Sequence, residues 1–266
     1  MNGTSGSDED HKNSGFGFGD WLRAVIAVPF FVIILIIASV VAVPLFIFSA
    51  GRLKNRLIRH VGRFIGMSML MLLGVRLNIH YGNHDIHRQA VYIINHSSTL
   101  DLFIIISLGL PRIRYVAKYE LQFNPFFFLL GRLTGQIFIK RSDSIASVSE
   151  LQNAYERIRK QDLSVMVAPE GSRKHEMPVG LFKKGAFRIA QDLNLPVVPV
   201  FIEGAADLCP GDALLSRSGV VHVWFDKPES FYGLSDEEFN LKIEELRVRY
   251  ISWSTNGYSQ MQSAER

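Results

Sequence analysis

The stretch YIINHSSTLDLFII, residues 92–105, places a histidine and an aspartate between two apolar runs. In one continuous α-helix, the five-residue spacing of His96 and Asp101 would put their side chains about 140° apart and out of contact. A helix that begins within the Ser-Ser-Thr sequence instead leaves His96 on the preceding turn and Asp101 in the first turns, because serine and threonine are favoured N-caps. The carboxylate can then accept a hydrogen bond from one ring nitrogen while the other nitrogen faces outward.

A histidine held in this way at a strand-to-helix junction is suited to take a proton from a hydroxyl group. A core histidine bonded to a neighbouring carboxylate would have the same local pattern. The stretch therefore predicts either a general base with its orienting carboxylate or a buried structural pair.

Short β-branched runs alternate with helical patterns from about residue 90 onward, which is typical of an α/β domain. The predicted strands cover residues 91–95, 112–117, 136–140, 163–169, 197–202 and 220–226. The predicted helices lie near residues 100–110, 120–133, 145–160, 181–192 and 235–251. The last of them begins with a capping box of Ser235 and Glu238. We predict an α/β fold with a mixed sheet flanked by helices, preceded by an N-terminal membrane-associated helical segment.

The membrane prediction depends on residues 24–50, which carry no charge. About 20 apolar residues suffice for a helix to cross a bilayer. A polar, acidic stretch precedes the segment and basic residues follow it, the reverse of a cleaved signal peptide. Pro29 and Pro44 would allow a re-entrant hairpin or an interfacial pair, but membrane helices tolerate proline, and we favour a single span.

A basic cluster follows the apolar segment, and no acidic residue occurs between this cluster and Asp85. The cluster consists of Arg52, Lys54, Arg56, Arg59 and Arg63. By the positive-inside tendency the rest of the chain faces the cytoplasm, and the cluster can contact anionic membrane lipid. Residues 64–75 are short and interrupted by glycine, which favours an interfacial helix. The predicted divisions are a disordered polar tail (1–20), membrane-anchoring helices with the basic segment (21–80) and an α/β domain (81–266).

Composition excludes some classes of protein. Cys209 is the single cysteine, so no intrachain disulfide can form, in agreement with a reducing compartment. The net charge of +4 is small and is accounted for by the basic cluster, so no nucleic-acid partner is predicted. His84 and His87 lie three positions apart in a polar stretch that we interpret as a surface turn, and we expect no metal site.

Four blocks of sequence resemble the glycerolipid acyltransferases, the family of 1-acyl-sn-glycerol-3-phosphate acyltransferases. NHSSTLD (95–101) is similar to the Asn-His-x4-Asp signature of that family, and three further blocks follow in the family's order. They are GQIFIKR (135–141), APEGSRK (168–174) and VPVFIEG (198–204). Lys140 stands where many members carry an acidic residue, which leaves the headgroup of the acceptor open.

The resemblance implies transfer of a fatty acyl group from acyl-CoA or acyl-ACP to the sn-2 hydroxyl of lysophosphatidic acid, giving phosphatidic acid. His96 would be the general base and Asp101 its orienting group. The hydroxyl would attack the thioester directly, without an acyl-enzyme and without a cofactor. Other acceptors of the same chemistry are lyso-ornithine or another lysolipid, and glycerol 3-phosphate. Residues 81–266 would form the catalytic domain.

The implied partners are a lysophospholipid acceptor, an acyl thioester donor that acyl carrier protein can present, and anionic membrane lipid. The short chain and simple tail favour a bacterial inner membrane, with the catalytic domain on the cytoplasmic face, over an endoplasmic reticulum.

Arg141 and Arg173 each follow a predicted strand, and the carboxyl ends of parallel strands form the ligand crevice of open α/β sheets. Guanidinium forks suit a phosphate, and the resemblance implies this role for both arginines. Glu170 is expected to orient an arginine or to hold its loop, and Gly171 to allow a tight turn. The other substrate-binding residues predicted from the blocks are Asn95, Gly135, Ser172 and Lys183.

A hydrolase of lipid esters is a second class of function, and it would need a nucleophile near His96. Ser98 has no nucleophile-elbow glycines around it, and Cys209 is interpreted as a loop or buried thiol. The phenylalanine-rich residues 121–133 predict either a core helix or a membrane-facing acyl-chain tunnel.

Overall fold

The computed structural model describes residues 16–82, 85–86, 88–118, 120, 123, 134–139, 145–173, 179–211, 213 and 215–258. Its helices are α1 (Phe18–Phe48), α2 (Lys54–Leu72), α3 (Asp101–Ser107), α4 (Ile145–Lys160), α5 (Gly185–Leu193), α6 (Ala205–Leu208) and α7 (Asp236–Asn256). Its strands are β1 (Val75–His80), β2 (Val91–Ile94), β3 (Ile113–Lys118), β4 (Ile137–Ile139), β5 (Ser164–Val167), β6 (Val197–Glu203) and β7 (Gly219–Phe225).

The strands form one seven-stranded sheet in the order β1-β7-β6-β2-β5-β3-β4. Neighbouring strands are parallel except β6 and β7, which are antiparallel. β2 and β5 lie inside the sheet and are buried along their whole length, which explains their uninterrupted apolar sequences. The predicted α/β fold with a mixed sheet is confirmed.

β1 is a strand that the sequence analysis missed. Its sequence VRLNIH alternates apolar and polar residues, but it follows α2 inside the segment predicted as membrane-anchoring. It pairs in parallel with β7, with Val75 opposite Gly219. The sheet therefore begins at Val75, before the predicted domain boundary at residue 81. The sequence did not indicate this pairing because the partner strand, β7, lies far along the chain.

Helices cover both faces of the sheet. On one face, α4, α5 and α7 contribute to one apolar cluster, for example through Ile158 and Tyr250. On the other face, Met69 of α2 and Ile104 of α3 belong to a second cluster, which Ala27 of α1 also joins. Removal of these side chains from water is the main stabilising contribution to the fold. The helix α3, which follows the predicted histidine, thus packs between the sheet and the N-terminal helices.

α1 is one continuous helix with Pro29 and Pro44 inside it, and by length and composition it could cross a membrane. Most of its apolar side chains are exposed. It packs beside α2 and reaches α3, where the rings of Phe31 and Phe103 meet edge to face with centroids 5.6 Å apart. Residues 24–48 therefore form a single helix rather than a re-entrant pair.

α2 begins at Lys54 and carries most of the basic cluster, so it starts well before the interfacial helix predicted over residues 64–75. Gly66, interpreted as a break in the apolar pattern, is instead a packing position. A Cβ there would lie 2.6 Å from the backbone oxygen of Phe103. The absence of a side chain at Gly66 therefore lets α2 lie directly on α3.

α7 begins with the predicted capping box. The Glu238 N–H donates to Oγ of Ser235 at 3.3 Å, and the Ser235 N–H donates to Oε2 of Glu238 at 2.8 Å. At the other end of the chain, α1 begins at Phe18, inside the predicted polar tail.

Several predictions concern positions outside the described residues. They are the polar tail over residues 1–15, the pair His84 and His87, the phenylalanine-rich residues 121–133 apart from Phe123, and Lys140 and Arg141.

Candidate active site

His96 lies on the turn between β2 and α3, outside the helix, as predicted. α3 begins at Asp101 and its N-cap is Leu100, not one of the three hydroxyl residues that the sequence favoured. Ser98 does not cap α3 because its Oγ donates to the carbonyl of Cys209 at 2.6 Å and accepts from the Leu100 N–H at 3.1 Å. The turn is therefore anchored to a distant loop before the helix starts.

The ring of His96 and the carboxylate of Asp101 form the predicted hydrogen bond. Nδ1 of His96 lies 2.8 Å from Oδ2 of Asp101, which also accepts from the N–H groups of Ser97 at 2.9 Å and Ser98 at 3.0 Å. The Asp101 side chain is 1% exposed and that of His96 is 30% exposed. Because Asp101 opens α3, the helix dipole also favours its negative charge. The carboxylate thus holds the ring by Nδ1, and Nε2 remains for a reacting group.

Glu170 holds the histidine loop from the other side. Its Oε1 accepts from the backbone N–H of His96 at 2.9 Å, and its Oε2 accepts from the N–H of Gly180 at 2.7 Å. The side chain is buried. Of the two roles predicted for Glu170, orienting an arginine or holding a loop, these contacts correspond to the second.

Two buried residues of α7 support the same region and were not singled out from the sequence. Arg247 donates from Nε to the carbonyl of Gly180 at 2.9 Å. The hydroxyl of Tyr250 donates to the carbonyl of Ile93 at 2.7 Å and accepts from the N–H of Val200 at 2.9 Å. Their three-residue spacing puts them on one face of α7, and a charged residue within that apolar stripe is the signal by which they could have been found.

Arg173 lies in the loop after β5, as predicted. Its Nη1 contacts Oγ1 of Thr99 at 3.3 Å, close in sequence to the histidine. Gly171 has a φ of +68°, which glycine adopts readily, so the predicted tight turn is present. Arg141, its predicted partner in a phosphate site, lies outside the described residues.

Ser172 lies in the loop after β5, and Lys183 lies in the segment that precedes α5. Ser172 is partly buried between Gly171 and Arg173. The backbone N–H of Lys183 donates to the carbonyl of Pro169 at 3.0 Å, and its side chain is exposed. The helix predicted near residues 181–192 would include Lys183, but α5 begins two residues after it, at Gly185.

Asn95 and Gly135, both predicted to bind substrate, have hydrogen bonds to other parts of the protein. The Asn95 side chain donates to the carbonyl of Ile202 at 2.9 Å and accepts from its N–H at 2.8 Å, which joins the end of β2 to β6. Gly135 lies at the amino end of β4, where Arg157 donates to its carbonyl at 2.9 Å. Because β4 runs in the same direction as β2 through the sheet, its amino end lies at the edge opposite His96.

Neither candidate nucleophile is exposed. Ser98 is fully buried, and Cys209 is buried with its Sγ 3.3 Å from the carbonyl of Ala213. Burial raises the pKa of the Cys209 thiol, which disfavours the reactive thiolate. The interpretation of Cys209 as a buried thiol is confirmed.

A cavity of about 560 Å³ adjoins the histidine loop near the carboxyl end of β6. Its lining includes Asn95, Ser97, Glu203, Asp207 and Trp253. Two carboxylates in one wall disfavour a phosphate by charge repulsion. Arg173 is not among the residues that line this cavity, whereas Glu203 and Asp207 are.

Two histidines meet on neighbouring strands away from this loop. Nε2 of His80 on β1 lies 3.0 Å from Nδ1 of His222 on β7, and burial together with His222 lowers the pKa of His80. Within the described parts of the chain, no three or more His, Cys, Asp or Glu side chains are grouped so as to hold a metal ion.

Comparisons with known proteins agree with the four sequence blocks. Residues 78–203 match the family model described as Acyltransferase. The 1-acyl-sn-glycerol-3-phosphate acyltransferase of Saccharomyces cerevisiae is 29% identical over 185 residues, covering 69% of this chain and 61% of the yeast protein. The human 1-acyl-sn-glycerol-3-phosphate acyltransferase alpha is 27% identical over 210 residues, covering 79% of this chain and 73% of the human protein. The match thus spans about three fifths of the yeast relative.

A solved structure shares the fold. The crystal structure of the 1-acyl-sn-glycerophosphate (LPA) acyltransferase PlsC from Thermotoga maritima superposes with a TM-score of 0.67 at 22% identity, covering 89% of this chain and 98% of that chain. The family model and the shared fold cover the loop that carries His96 and the loop that carries Arg173. Residues 78–203 of this chain are therefore similar to the acyltransferase family model, in agreement with the resemblance of the four blocks.

Proposed function

We propose that the chain transfers a fatty acyl group from acyl-CoA or acyl-ACP to the sn-2 hydroxyl of lysophosphatidic acid, giving phosphatidic acid. The observation that carries this proposal is the 2.8 Å hydrogen bond between Nδ1 of His96 and Oδ2 of the buried Asp101, inside the region that matches the acyltransferase family model. The names of the yeast and human relatives suggest the acceptor.

In the proposed reaction, Nε2 of His96 takes the proton of the sn-2 hydroxyl as the oxygen attacks the carbonyl carbon of the thioester. The tetrahedral intermediate collapses with cleavage of the carbon–sulfur bond, and the proton passes from His96 to the leaving thiolate. Asp101 stabilises the imidazolium between these two transfers and keeps the ring oriented. The acyl group moves directly from sulfur to oxygen, so the products are the ester and a free thiol.

The position of Ser98 supports direct transfer over a lipid ester hydrolase. A serine hydrolase needs a hydroxyl that contacts both the histidine and the substrate. Oγ of Ser98 is buried and donates to the carbonyl of Cys209 instead. Substitution Ser98→Ala should therefore change folding stability more than it changes the chemical step.

We propose that the phosphate of the acceptor binds on the Arg173 side of His96, with Arg141 and Lys183 adding positive charge. An arginine fork matches two phosphate oxygens, and the contact of Arg173 with Thr99 places it beside the histidine loop. Asn95, whose side chain joins β2 to β6, would support this site from the start of the histidine loop, whereas Gly135 lies at the opposite edge of the sheet and is not part of it.

An amino-lipid acceptor such as lyso-ornithine is a second candidate, favoured by the acidic cavity. Glu203 and Asp207 line the space next to Ser97, and two carboxylates can pair with an ammonium group. Both acceptors would present a hydroxyl to His96, so the same base serves either lipid.

We further propose that α1 and α2 hold the catalytic domain at the cytoplasmic face of a membrane, and that this membrane is a bacterial inner membrane. The exposed apolar residues of α1 continue into Phe64, Met67 and Met71 of α2. Both helices pack near α3, which begins at Asp101, so a lipid substrate could reach His96 from the bilayer surface.

The test is acyl transfer by membranes that contain the full chain, with labelled acyl-CoA and acyl-ACP supplied separately and lysophosphatidic acid as acceptor. Wild-type protein should form phosphatidic acid, and His96→Ala should lose at least about 10³-fold in rate. His60→Ala, which changes an exposed histidine of α2, is the matched control and should retain activity.

The outcomes separate the candidate functions. If lyso-ornithine but not lysophosphatidic acid is acylated in a His96-dependent way, the acceptor is the amino lipid. Release of free fatty acid without acylated product would identify a hydrolase instead. Full activity of His96→Ala would refute the proposed base.

A further inference from the structure

Three cationic side chains meet at the amino end of β4, at the edge of the sheet opposite His96. They are Lys54 at the start of α2, Arg114 in β3 and Arg157 in α4, and we refer to them as the cationic triad. No step of the proposed acyl transfer uses them. Three positive charges that converge from three separate elements need a physical explanation, because like charges at close range repel one another.

The triad converges on Gly135. Nη2 of Arg157 donates to the Gly135 carbonyl at 2.9 Å. A Cβ added to Gly135 would lie 2.7 Å from Nζ of Lys54 and 2.9 Å from Nη2 of Arg157, so the two cationic nitrogens lie close together beside this residue. Gln136 ties the turn to β3, since its Oε1 accepts from the Tyr115 N–H at 2.6 Å. The position of Gly135 is therefore held by the sheet edge itself.

Arg114 is the buried member of the triad, with 1% of its surface exposed. Its Nη1 donates to the carbonyl of Ile113 at 2.8 Å, and its Nη2 donates to Oδ1 of Asn55 at 2.7 Å. Its Nε is buried and has no hydrogen-bond partner among the residues that the structure describes. A buried guanidinium with an unpaired N–H is costly unless another group accepts that hydrogen bond.

No carboxylate among the described residues forms an ion pair with Lys54, Arg114 or Arg157. As a result, the pKa values of two members of the triad are lowered. Burial, Arg114 and Arg157 lower the pKa of Lys54, and burial with Arg157 lowers the pKa of Arg114 to about 10. The folded protein therefore disfavours positive charge at this place, although three positive side chains are brought there.

We infer that the cationic triad is a binding site for a phosphate oxyanion, either free phosphate or the phosphate of a phospholipid headgroup. One anion would compensate all three charges and offer an oxygen to the unpaired Nε of Arg114. The start of α2 adds the positive end of its helix dipole. Since α2 begins shortly after the apolar helix α1 ends at Phe48, the triad lies where headgroups would meet the domain.

The first experiment measures binding of inorganic phosphate by calorimetry to the full chain in detergent. Wild-type protein should bind phosphate, and Lys54→Gln and Arg157→Gln should each weaken binding at least about tenfold. Arg56→Gln is the matched control, because it removes the same charge from an exposed position of the same helix. Repeating the series in the Arg173→Gln background excludes phosphate bound at the proposed active site.

The second experiment measures co-sedimentation with phosphatidylcholine vesicles that contain or lack phosphatidylglycerol. A headgroup site predicts that Lys54→Gln and Arg157→Gln reduce binding to the anionic vesicles more than Arg56→Gln does, with or without binding of free phosphate. Loss of phosphate binding in the triad variants, with vesicle binding equal to that of the control, would identify free phosphate as the ligand. If the triad variants equal Arg56→Gln with both probes, the site does not exist.

Discussion

The two ends of the parallel strands handle buried charge in opposite ways. At the carboxyl edge, Oδ2 of Asp101 accepts from the ring of His96 and from two backbone N–H groups, while Oδ1 is buried without a hydrogen-bond partner among the described residues. At the amino end of β4, Lys54, Arg114 and Arg157 meet without a carboxylate among the described residues. A charge that is compensated within the fold serves to orient a neighbouring group. A charge that is left uncompensated needs a ligand.

The largest effect on rate is expected from substitution of Asp101, at the carboxyl edge of the sheet. Asp101→Asn keeps the shape of the side chain but removes the negative charge beside Nδ1 of His96, so the imidazolium loses its stabilising partner. We expect the rate of acyl transfer to fall about 10³-fold or more, with the melting temperature changed far less than the rate. Initial rates over a range of pH, with Asp162→Asn as an exposed control, provide the measurement. A variant rate within about threefold of wild type would remove Asp101 from the mechanism.

The next largest effect is expected at Arg173, whose contribution to KM can be compared with that of Arg188, a cation outside the site. Arg173→Gln should raise KM for lysophosphatidic acid about 10- to 100-fold with a smaller change in kcat, because a phosphate contact persists from the bound substrate to the transition state. Arg188→Gln, at a partly exposed arginine of α5 that pairs with Asp236, should leave KM unchanged. A fall in kcat alone would instead place Arg173 in the chemical step.

Glu170 tests whether the histidine loop depends on its buried carboxylate. In Glu170→Gln, the amide can accept from only one of the two N–H groups of His96 and Gly180 and presents a donor to the other. We expect a loss of about 1–3 kcal/mol in the free energy of unfolding, together with a lower rate. Thermal unfolding in detergent measures the first, and Glu237→Gln on the exposed start of α7 is the control. Equal melting temperatures for the two variants would contradict the role of Glu170.

The smallest expected effect is the pH dependence of folding stability that Lys54 of the cationic triad causes. Because the pKa of Lys54 is lowered from 10.5 on folding, the unfolded chain binds more protons between the lowered value and 10.5. Stability should therefore rise with pH through this window, by less than about 1 kcal/mol since the side chain is partly exposed. Melting temperatures should show a smaller rise in Lys54→Gln than in wild type and in Lys184→Gln, and Arg114, whose pKa is lowered to about 10, should account for the rise that remains above that pH. Added phosphate should reduce the rise, and a rise in Lys54→Gln equal to that of wild type would assign it to groups other than Lys54.

The sequence was informative where function depends on neighbouring residues. His96 and Asp101 lie five positions apart on one turn, so local geometry alone predicted their hydrogen bond. The same holds for the turn at Gly171 and for the capping box of α7. Most strands were found because their apolar runs are buried on both sides.

The sequence was incomplete where a contact depends on distant segments. The amide of Asn95, predicted to bind substrate, also hydrogen-bonds Ile202 of β6, which no local pattern indicated. Gly66 was interpreted only as an interruption of the apolar run, yet it allows the backbone of α3 to approach α2. Arg247 was not singled out from the sequence, yet it is buried and donates to the carbonyl of Gly180.

The sequence by itself determined the α/β fold class, the apolar N-terminal helix, the acyltransferase blocks and the histidine–aspartate pair. Each of these depends on local periodicity, on composition or on residues a few positions apart. Only the tertiary structure decided the pairing of β1 with β7, the loop contacts of Glu170 and the meeting of Lys54, Arg114 and Arg157. Those contacts follow from strand order and helix packing, which bring together residues that no local pattern connects.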